Sequence, residues 1–194
     1  MDWIASIESW DRYLVLFING INHPFLDQIM WLVSDPLFGV PFYLLFIYFI
    51  FKKHTSKETF LIVLMLAIIV GLADFTAHEL FKENFQRFRP SHHFDLKDHL
   101  HLHAHKDGSF YRGGKFGFIS NHATNMSALC CGVFLVLKNH YKSLWIYLLI
   151  FLVLISYSRI YLGVHYFTDI IVGWLIGFIL AFIGVIVLRK IIFK

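Results

Sequence analysis

Long apolar runs separated by short polar segments are the main pattern along this chain. About 20 apolar residues in a helix cross the hydrocarbon core of a bilayer, and several runs approach or reach that length. We therefore predict an all-α integral membrane protein built as a transmembrane helix bundle with five spans. A shorter piece, residues 25–34, is interrupted by Asp27 and Gln28 and could add a sixth span. The five predicted spans are residues 37–51, 59–81, 121–137, 144–157 and 166–188.

The first 19 residues follow a different pattern, in which apolar side chains recur at alternating steps of four and three. Polar residues occupy the rest of the helical wheel, which predicts an amphipathic helix lying in the membrane interface. A basic leader and a small-residue cleavage site are missing, so we do not expect a cleavable signal. Asn19-Gly20 and His23-Pro24 break the chain, and residues 1–34 are assigned to an interfacial N-terminal segment. The apolar positions are Trp3, Ile7, Trp10, Leu14 and Phe17, and the polar ones are Asp2, Glu8, Asp11 and Arg12.

Composition agrees with this pattern, because 58% of the residues are hydrophobic and only 15% are charged. Such a chain is too apolar for an ordinary soluble domain, and we treat residues 1–194 as one membrane-embedded domain. The net charge of +4 comes from lysines and arginines at the ends of the apolar runs, so it does not indicate nucleic acid as a partner. Cys130 and Cys131 lie inside an apolar run and are expected to act as small packing residues.

The basic residues also predict an orientation, because cytoplasmic loops of membrane proteins are enriched in lysine and arginine. Three groups of basic residues fall on the same side when the five spans alternate. That side is predicted to be cytoplasmic, which places the long loop 82–118 and the turn 158–165 together on the opposite, extracytoplasmic face. The three groups are Lys52, Lys53 and Lys57, then Lys138 and Lys142, and finally Arg189, Lys190 and Lys194.

The turn at residues 158–169 contains ionisable groups between two apolar runs, where they are costly unless they have a function. His165 and Asp169 are four residues apart, which predicts one helix face and a carboxylate that accepts a proton from one imidazole nitrogen. Arg159 precedes a predicted turn at Gly163, and its planar guanidinium suits a phosphate. The alternative is a buried, salt-bridged helix end without a ligand.

Two further segments carry charged or capping residues at helix ends. Lys82 and Arg89 are seven residues apart, which on a continuing helix is the same face, and Pro90 follows. Ser120 is predicted to cap the next helix, whose first N–H groups, from Asn121 onward, form an anion site beside His122. Taken singly, each segment could instead be a basic helix end near lipid headgroups or an ordinary capping sequence.

Taken together, the patterns Lys-x6-Arg-Pro, Ser-x-His and Ser-Arg-x5-His-x3-Asp resemble the type 2 phosphatidic acid phosphatase family, over about the C-terminal two-thirds of the chain. The usual Pro-Ser-Gly-His of that family reads Ile119-Ser120-Asn121-His122 here, and we expect the anion contact to survive. The same scaffold carries soluble vanadate-dependent haloperoxidases, which the membrane spans argue against. The resemblance implies His165 as a nucleophile forming a phosphohistidine, Asp169 as its orienting partner, His122 as the proton donor, and Lys82, Arg89, Ser120, Asn121 and Arg159 as phosphate ligands.

The loop between the first two motifs holds half of the twelve histidines. Alternation at His99, His101, His103 and His105 would place four imidazoles on one side of an extended strand, a candidate site for zinc or copper. The other interpretation, which we favour, is a polar, pH-sensitive lid over the site. The remaining two histidines of this loop are His92 and His93.

The sequence therefore predicts a metal-independent and cofactor-free phosphatase of a lipid phosphate or diphosphate. Its expected partners are that substrate and membrane lipids, and its expected location is a bacterial inner membrane with the site on the periplasmic side. Undecaprenyl diphosphate, phosphatidate, phosphatidylglycerophosphate and lipid A all fit as substrates. An anion transporter or channel, an inactive lipid-binding protein and a phosphatase of a soluble ester remain alternatives.

Overall fold

A computed structural model describes residues 3–192, and every regular element in that range is helical. Two isolated antiparallel bridges, Phe88 with Phe116 and Ala104 with Phe110, shape the long loop. Asp2 and Lys194, which entered the helix and charge predictions above, lie outside the described residues.

The N-terminal region forms helices α1 (Trp3–Gly20) and α2 (Pro24–Ser34). The break between them lies where the sequence predicted it, because His23 caps α2 through its ring nitrogen, which accepts from Phe25 N at 3.3 Å. A 3-10 turn (Pro36–Gly39) then leads into α3 (Val40–Phe51). The piece that begins at Pro24 and the piece that ends at Phe51 are bent by 72° with respect to each other.

Helix α4 (Ser56–Phe75) begins with a capping box, in which Thr55 Oγ1 accepts from Glu58 N and Glu58 Oε2 accepts from Thr55 N. The helix continues as a π-helical segment (Thr76–Lys82) and the short α5 (Glu83–Phe85). Gln86 then adopts a left-handed conformation with φ 47° and ends the helix. The predicted continuous helix from Lys82 to Arg89 is therefore wrong.

The remaining helices are α6 (Asn121–Leu137), α7 (Leu144–Tyr161) and α8 (Phe167–Ile192). Helices α6 and α8 approach each other closely at Gly177, where a Cβ atom would overlap the backbone of Thr124 and Ala128. Glycine at this position thus permits the central helix contact of the bundle. Cys130 is 3% exposed within the apolar core, as expected of a packing residue.

Three helical stretches are long and apolar enough to cross a membrane, and the bent pair that ends at Phe51 makes a fourth if it counts as one span. Helix α6 is apolar but shorter. These features identify an integral membrane protein, while the count of five spans stays a prediction. The three stretches are Ser56–Phe85, Leu144–Tyr161 and Phe167–Ile191.

The basic loops meet at one end of the bundle. The His54 and His140 rings are 5.8 Å apart, and both line a cavity together with Arg189. Lys53 lies over the Tyr141 ring at 5.5 Å. The members of the three basic groups that the structure describes therefore share one end, and the motif residues lie at the other.

Candidate active site

His165 lies in the turn between α7 and α8, after Gly163, whose φ of +69° fits the turn that the sequence predicted. The prediction that His165 and Asp169 share one helix face is wrong, because α8 begins only at Phe167 and His165 precedes it. The expected contact still forms: His165 Nδ1 is 3.2 Å from Asp169 Oδ2. Asp169 points back over the start of α8 and also accepts from Tyr166 N at 3.0 Å.

The second ring nitrogen of His165, Nε2, is 3.0 Å from Arg89 Nη1. A guanidinium can only donate, so Nε2 accepts here and Nδ1 carries the proton that goes to Asp169. Burial, then Arg89 and Arg159, hold the pKa of His165 well below its ordinary value. His165 is thus a neutral imidazole with a lone pair on Nε2, which is the form that can act as a nucleophile.

Arg89 reaches this position through the loop and not through a helix. Its backbone N donates to Lys115 O at 3.1 Å, and its Nε donates to Phe116 O at 3.1 Å. The side chain is 7% exposed, and burial followed by the charge of Arg159 lowers its pKa to about 10. The guanidinium still carries its full charge at neutral pH.

Lys82 closes another side of the site from the end of the π-helical segment. Its Nζ donates to Asn121 Oδ1, and Asn121 Nδ2 donates to Asp74 Oδ1 at 2.7 Å. The side chain of Asn121, at the position where the resembling motif has glycine, therefore links Lys82 to a carboxylate on α4. Asp74 also accepts from Asn125 Nδ2 at 2.9 Å.

The start of α6 is built as the sequence predicted. Ser120 is the N-cap, and its Oγ accepts from Ala123 N at 3.4 Å. His122 lies in the first turn, where its ring contacts the backbone of Ser34 and interacts with the charges of Arg159 and Arg89. The helix N-terminus and His122 therefore face the same charged cluster.

Arg159 lies in the last turn of α7 and is 2% exposed. One Nη group donates to Ser34 Oγ, and the other donates to Tyr111 OH at 2.8 Å. Its Nε is buried and has no hydrogen-bond partner within residues 3–192. Because a buried guanidinium N–H costs free energy when unpaired, this donor is available for a ligand oxygen.

The predicted site residues thus come together. His165 interacts electrostatically with Arg89, Arg159, Lys82 and His122, and Lys82 interacts with Asp169. Ser120 and Asn121 border the cluster from the start of α6. An apolar groove of about 700 Å³ between α3 and α7 lies elsewhere and is lined by none of these residues.

Sequence reasoning missed four side chains that contact the predicted site residues, and a fifth that contacts one of those four. Arg87 lies inside the Lys-x6-Arg-Pro pattern, two residues before Arg89, and this position was its only signal in the sequence. Asp11 was assigned to the polar face of an interfacial helix, yet it is 2% exposed and contacts Arg87. No sequence signal pointed to the other three, which are Ser34, Asp74 and Tyr111.

The four alternating histidines do not form the predicted row of metal ligands, because His99 lies in the turns at 94–99 while His101 and His103 contact different partners. His103 stacks on Trp31 at 4.0 Å, while His101 pairs with Asp27 at 3.0 Å. Among residues 3–192, no three His, Cys, Asp or Glu side chains come together as metal ligands. Tyr111 connects this loop to Arg159 and touches the Trp31 ring at 5.0 Å, so the loop covers one side of the site.

The chain is similar in sequence and in fold to known phosphatases. The family model described as PAP2 superfamily matches residues 59–193. A lipid A 4'-phosphatase of Porphyromonas gingivalis is 39% identical over 181 residues, which cover 93% of this chain and 72% of that protein. A lipid A 4'-phosphatase of Bacteroides thetaiotaomicron is 31% identical over 175 residues, covering 90% and 75%. A crystal structure of a transmembrane PAP2-type phosphatidylglycerolphosphate phosphatase from Bacillus subtilis has a TM-score of 0.72 at 23% identity, covering 96% of this chain and 88% of that one, which shows a common fold.

Proposed function

Because this chain belongs to the PAP2 superfamily, we propose that it hydrolyses a lipid phosphate through a phosphohistidine formed on His165. One observation carries the proposal: the buried His165 donates Nδ1–H to Asp169 and directs its Nε2 lone pair into a cluster of cations. A neutral imidazole with a fixed tautomer is a competent nucleophile, and cations around it stabilise the charge of a phosphoryl group.

In the first step, Nε2 attacks phosphorus in line with the bond to the leaving oxygen. As the N–P bond forms, the P–O bond breaks and His122 donates a proton to the departing oxygen. Lys82, Arg89 and Arg159 offset the charge of the equatorial oxygens, and the first N–H groups of α6, after Ser120, add further donors.

In the second step, a water molecule attacks the phosphoryl group and gives a proton to His122. The N–P bond breaks, its electron pair returns to Nε2, and inorganic phosphate leaves. Asp169 keeps the proton on Nδ1 in both steps and so holds the imidazole in one tautomer. Positive charge at the phosphate comes entirely from side chains and backbone in this scheme, so we expect chelators to leave the rate unchanged.

We assign the substrate to the phosphate monoesters of lipid A, since two relatives named lipid A 4'-phosphatases align with at least 90% of this chain. The apolar tails of such a lipid would stay in the bilayer while its phosphate enters the site. Undecaprenyl diphosphate, phosphatidate and phosphatidylglycerophosphate are the competing substrates, and they form the comparison panel of the test.

We further propose that the single domain 1–194 crosses a bacterial inner membrane five times, through the bent pair ending in α3 and through α4, α6, α7 and α8. The lysines and arginines of the short loops at 52–57 and 138–142 and of the end of α8 lie at one end of the bundle, which we assign to the cytoplasm, whereas the cations at the other end surround the site. The site then faces the periplasm. A cysteine placed at Ser109 should react with an impermeant thiol reagent in intact spheroplasts, and one at Ser143 should not. Labelling at Ser143 alone would reverse this assignment.

The function is tested by phosphate release from the lipid panel by purified protein in detergent with a chelator present. We expect release from lipid A at the highest kcat/KM, none from His165→Ala, and inhibition by vanadate, whose five-coordinate form resembles the transition state. Loss of activity with the chelator that zinc restores would contradict the metal-independent scheme. Release from another lipid at a higher kcat/KM would keep the chemistry and reassign the substrate.

A further inference from the structure

Asp169 has a second side-chain partner, which binds the carboxylate oxygen away from His165. Its Oδ1 accepts from Arg87 Nη1 at 3.0 Å, while its Oδ2 serves His165 and the Tyr166 backbone N. Asp169 is fully buried, so its carboxylate requires a cation nearby. Arg87 supplies that cation and lies flat over the Tyr166 ring, 4.1 Å from its centroid.

Arg87 is held in turn by the N-terminal helix. Its Nη2 donates to Asp11 Oδ2 at 2.8 Å, and its Nη1 also donates to Thr168 Oγ1 at 2.8 Å. Asp11 Oδ1 accepts from Thr168 N at 3.0 Å, and the Thr168 hydroxyl donates to Asp11 Oδ2. Asp11 on α1 thus binds both the loop that carries Arg87 and the first turn of α8.

These contacts form one chain, Asp11–Arg87–Asp169–His165, in which the charges of the first three members alternate and the last member is the neutral imidazole. Both Nη groups of Arg87 donate to carboxylates, so the charge of the guanidinium is balanced within the protein. An aspartate that orients a catalytic histidine must itself be held in position, because a misplacement of about 1 Å costs about 100-fold in rate. Arg87 fixes one carboxylate oxygen of Asp169 and leaves the other for His165.

We propose that Arg87 and Asp11 are positioning residues of the reaction, and that helix α1 holds the nucleophile in place through them. The inference rests on the proposed function and adds to it a role for the N-terminal helix, which lies before the matched family region at residues 59–193. Neither residue touches the substrate phosphate, so their loss lowers kcat and leaves KM almost unchanged.

The test compares Arg87→Ala and Asp11→Asn with the matched control Arg12→Ala, in full-length protein in detergent. Arg12 follows Asp11 on the same helix, but it is paired with the exposed Asp95 at 3.2 Å. We expect kcat to fall about 100-fold for Arg87→Ala and about tenfold for Asp11→Asn, with KM within about twofold of wild type. Arg12→Ala should keep the wild-type kcat.

Added guanidinium ion gives a second readout that a merely structural role would not produce. A cavity of about 210 Å³ beside Arg87 and Tyr166 lets a small cation reach the place of the deleted side chain. Guanidinium should recover part of the kcat of Arg87→Ala and none of that of His165→Ala. In a double-mutant cycle, Arg87→Ala should add little to the loss caused by Asp169→Asn, because both act through one histidine.

The outcomes separate this inference from the proposed function. A wild-type protein that releases no phosphate from any lipid overturns both. An active wild type with an inactive His165→Ala, but with full activity in Arg87→Ala, overturns the positioning role alone. A raised KM with an unchanged kcat would also overturn it and make Arg87 a substrate ligand. Should Arg87→Ala elute as aggregate, Thr168→Val replaces it, since it removes the hydroxyl between Arg87 and Asp11 and keeps both charges.

Discussion

Arg87 and Arg89 stand two residues apart in one loop, yet they lie on opposite sides of the His165–Asp169 pair. Arg87 binds two carboxylates, Asp11 and Asp169, whereas Arg89 binds backbone carbonyls and the neutral His165. Burial alone would lower the pKa of both arginines. Asp169 and Asp11 nevertheless raise the pKa of Arg87, while burial and the nearby Arg159 lower that of Arg89 to about 10.

This difference shows how one residue type serves two purposes. The charge of Arg87 is already balanced, so it stabilises the folded site without attracting a ligand. The charge of Arg89 is repelled by Arg159 and Lys82, and among residues 3–192 its guanidinium donates to carbonyl oxygens and His165 and forms no salt bridge. An anion placed among these three cations relieves their repulsion. We therefore expect the substrate phosphate to bind on the side of the His165–Asp169 pair where Arg89 lies.

The largest loss of activity is expected at His165, because this residue is the proposed nucleophile. His165→Ala removes the attacking atom and should lower kcat by at least about 10⁴-fold. His140→Ala is the matched control, because its imidazole lies at the opposite end of the bundle beside His54. Phosphate release assays on both variants check the prediction, and comparable rates for them would remove His165 from the mechanism.

Arg89→Ala should lower kcat/KM by about 10²–10³-fold, since it deletes a donor aimed at the developing charge. We expect Arg89→Ala both to lower kcat and to raise KM, whereas Arg87→Ala should lower kcat and leave KM almost unchanged. Steady-state kinetics on the two variants provide the measurement. Identical changes of kcat and KM in Arg89→Ala and Arg87→Ala would contradict the assignment of different roles to the two arginines.

The same variant makes a prediction about pH. Because the Arg89 charge helps to hold the pKa of His165 below its ordinary value, removing it makes the imidazole easier to protonate. The acid limb of kcat/KM should therefore move to higher pH in Arg89→Ala than in wild type. Titration of the substrate is common to both enzymes and cancels in the comparison, and an unmoved or acid-shifted limb would contradict the contact.

A smaller effect is expected at Lys82. Asn121→Ala removes the amide that joins Lys82 to Asp74, and kcat/KM should fall about tenfold, as for loss of a hydrogen bond to a charged group. Asn125→Ala is the control, because Asn125 contacts Asp74 and not Lys82. Equal effects of the two substitutions would mean that Asp74 alone matters and that the link through Asn121 does not.

The smallest effect is expected at the loop. Tyr111→Phe keeps the aromatic ring against Trp31 and deletes only the hydroxyl that accepts from Arg159. We expect kcat/KM to fall about fivefold, the value of one hydrogen bond. A loss as large as that of Arg89→Ala would instead place the hydroxyl in contact with the substrate, and competition assays with inorganic phosphate would detect it.

Much of the helical architecture could be predicted from sequence, because apolar runs of bilayer length have few alternatives to a helix. The helix end near Lys82 could not, since the left-handed turn at Gln86 depends on how the loop packs. The motif residues His165 and Asp169 were predicted to be in contact, and they are. His165 however precedes α8, so the contact bridges the N-terminal end of that helix and does not lie along a shared helix face.

The supporting residues escaped prediction for a different reason. Asp11 and Arg87 are 76 residues apart, and a carboxylate on an amphipathic helix has the same sequence pattern whether it faces water or a buried guanidinium. The helical wheel of α1 therefore grouped Asp11 with Glu8 and Arg12, which are exposed or partly exposed. Only the folded chain separates the buried carboxylate from its neighbours.

The central claim is that His165 Nε2 takes the phosphoryl group, and trapping that intermediate tests it most directly. Protein quenched at alkaline pH during turnover of lipid A, digested and analysed by mass spectrometry should carry a phosphoryl group on His165. His122→Ala, which lacks the proposed base for the second step, should accumulate more of it with a substrate whose leaving group needs no proton. An active wild type that carries the phosphoryl group on a residue other than His165 would contradict this assignment. So would an active wild type if neither it nor His122→Ala carried a phosphoryl group on any residue.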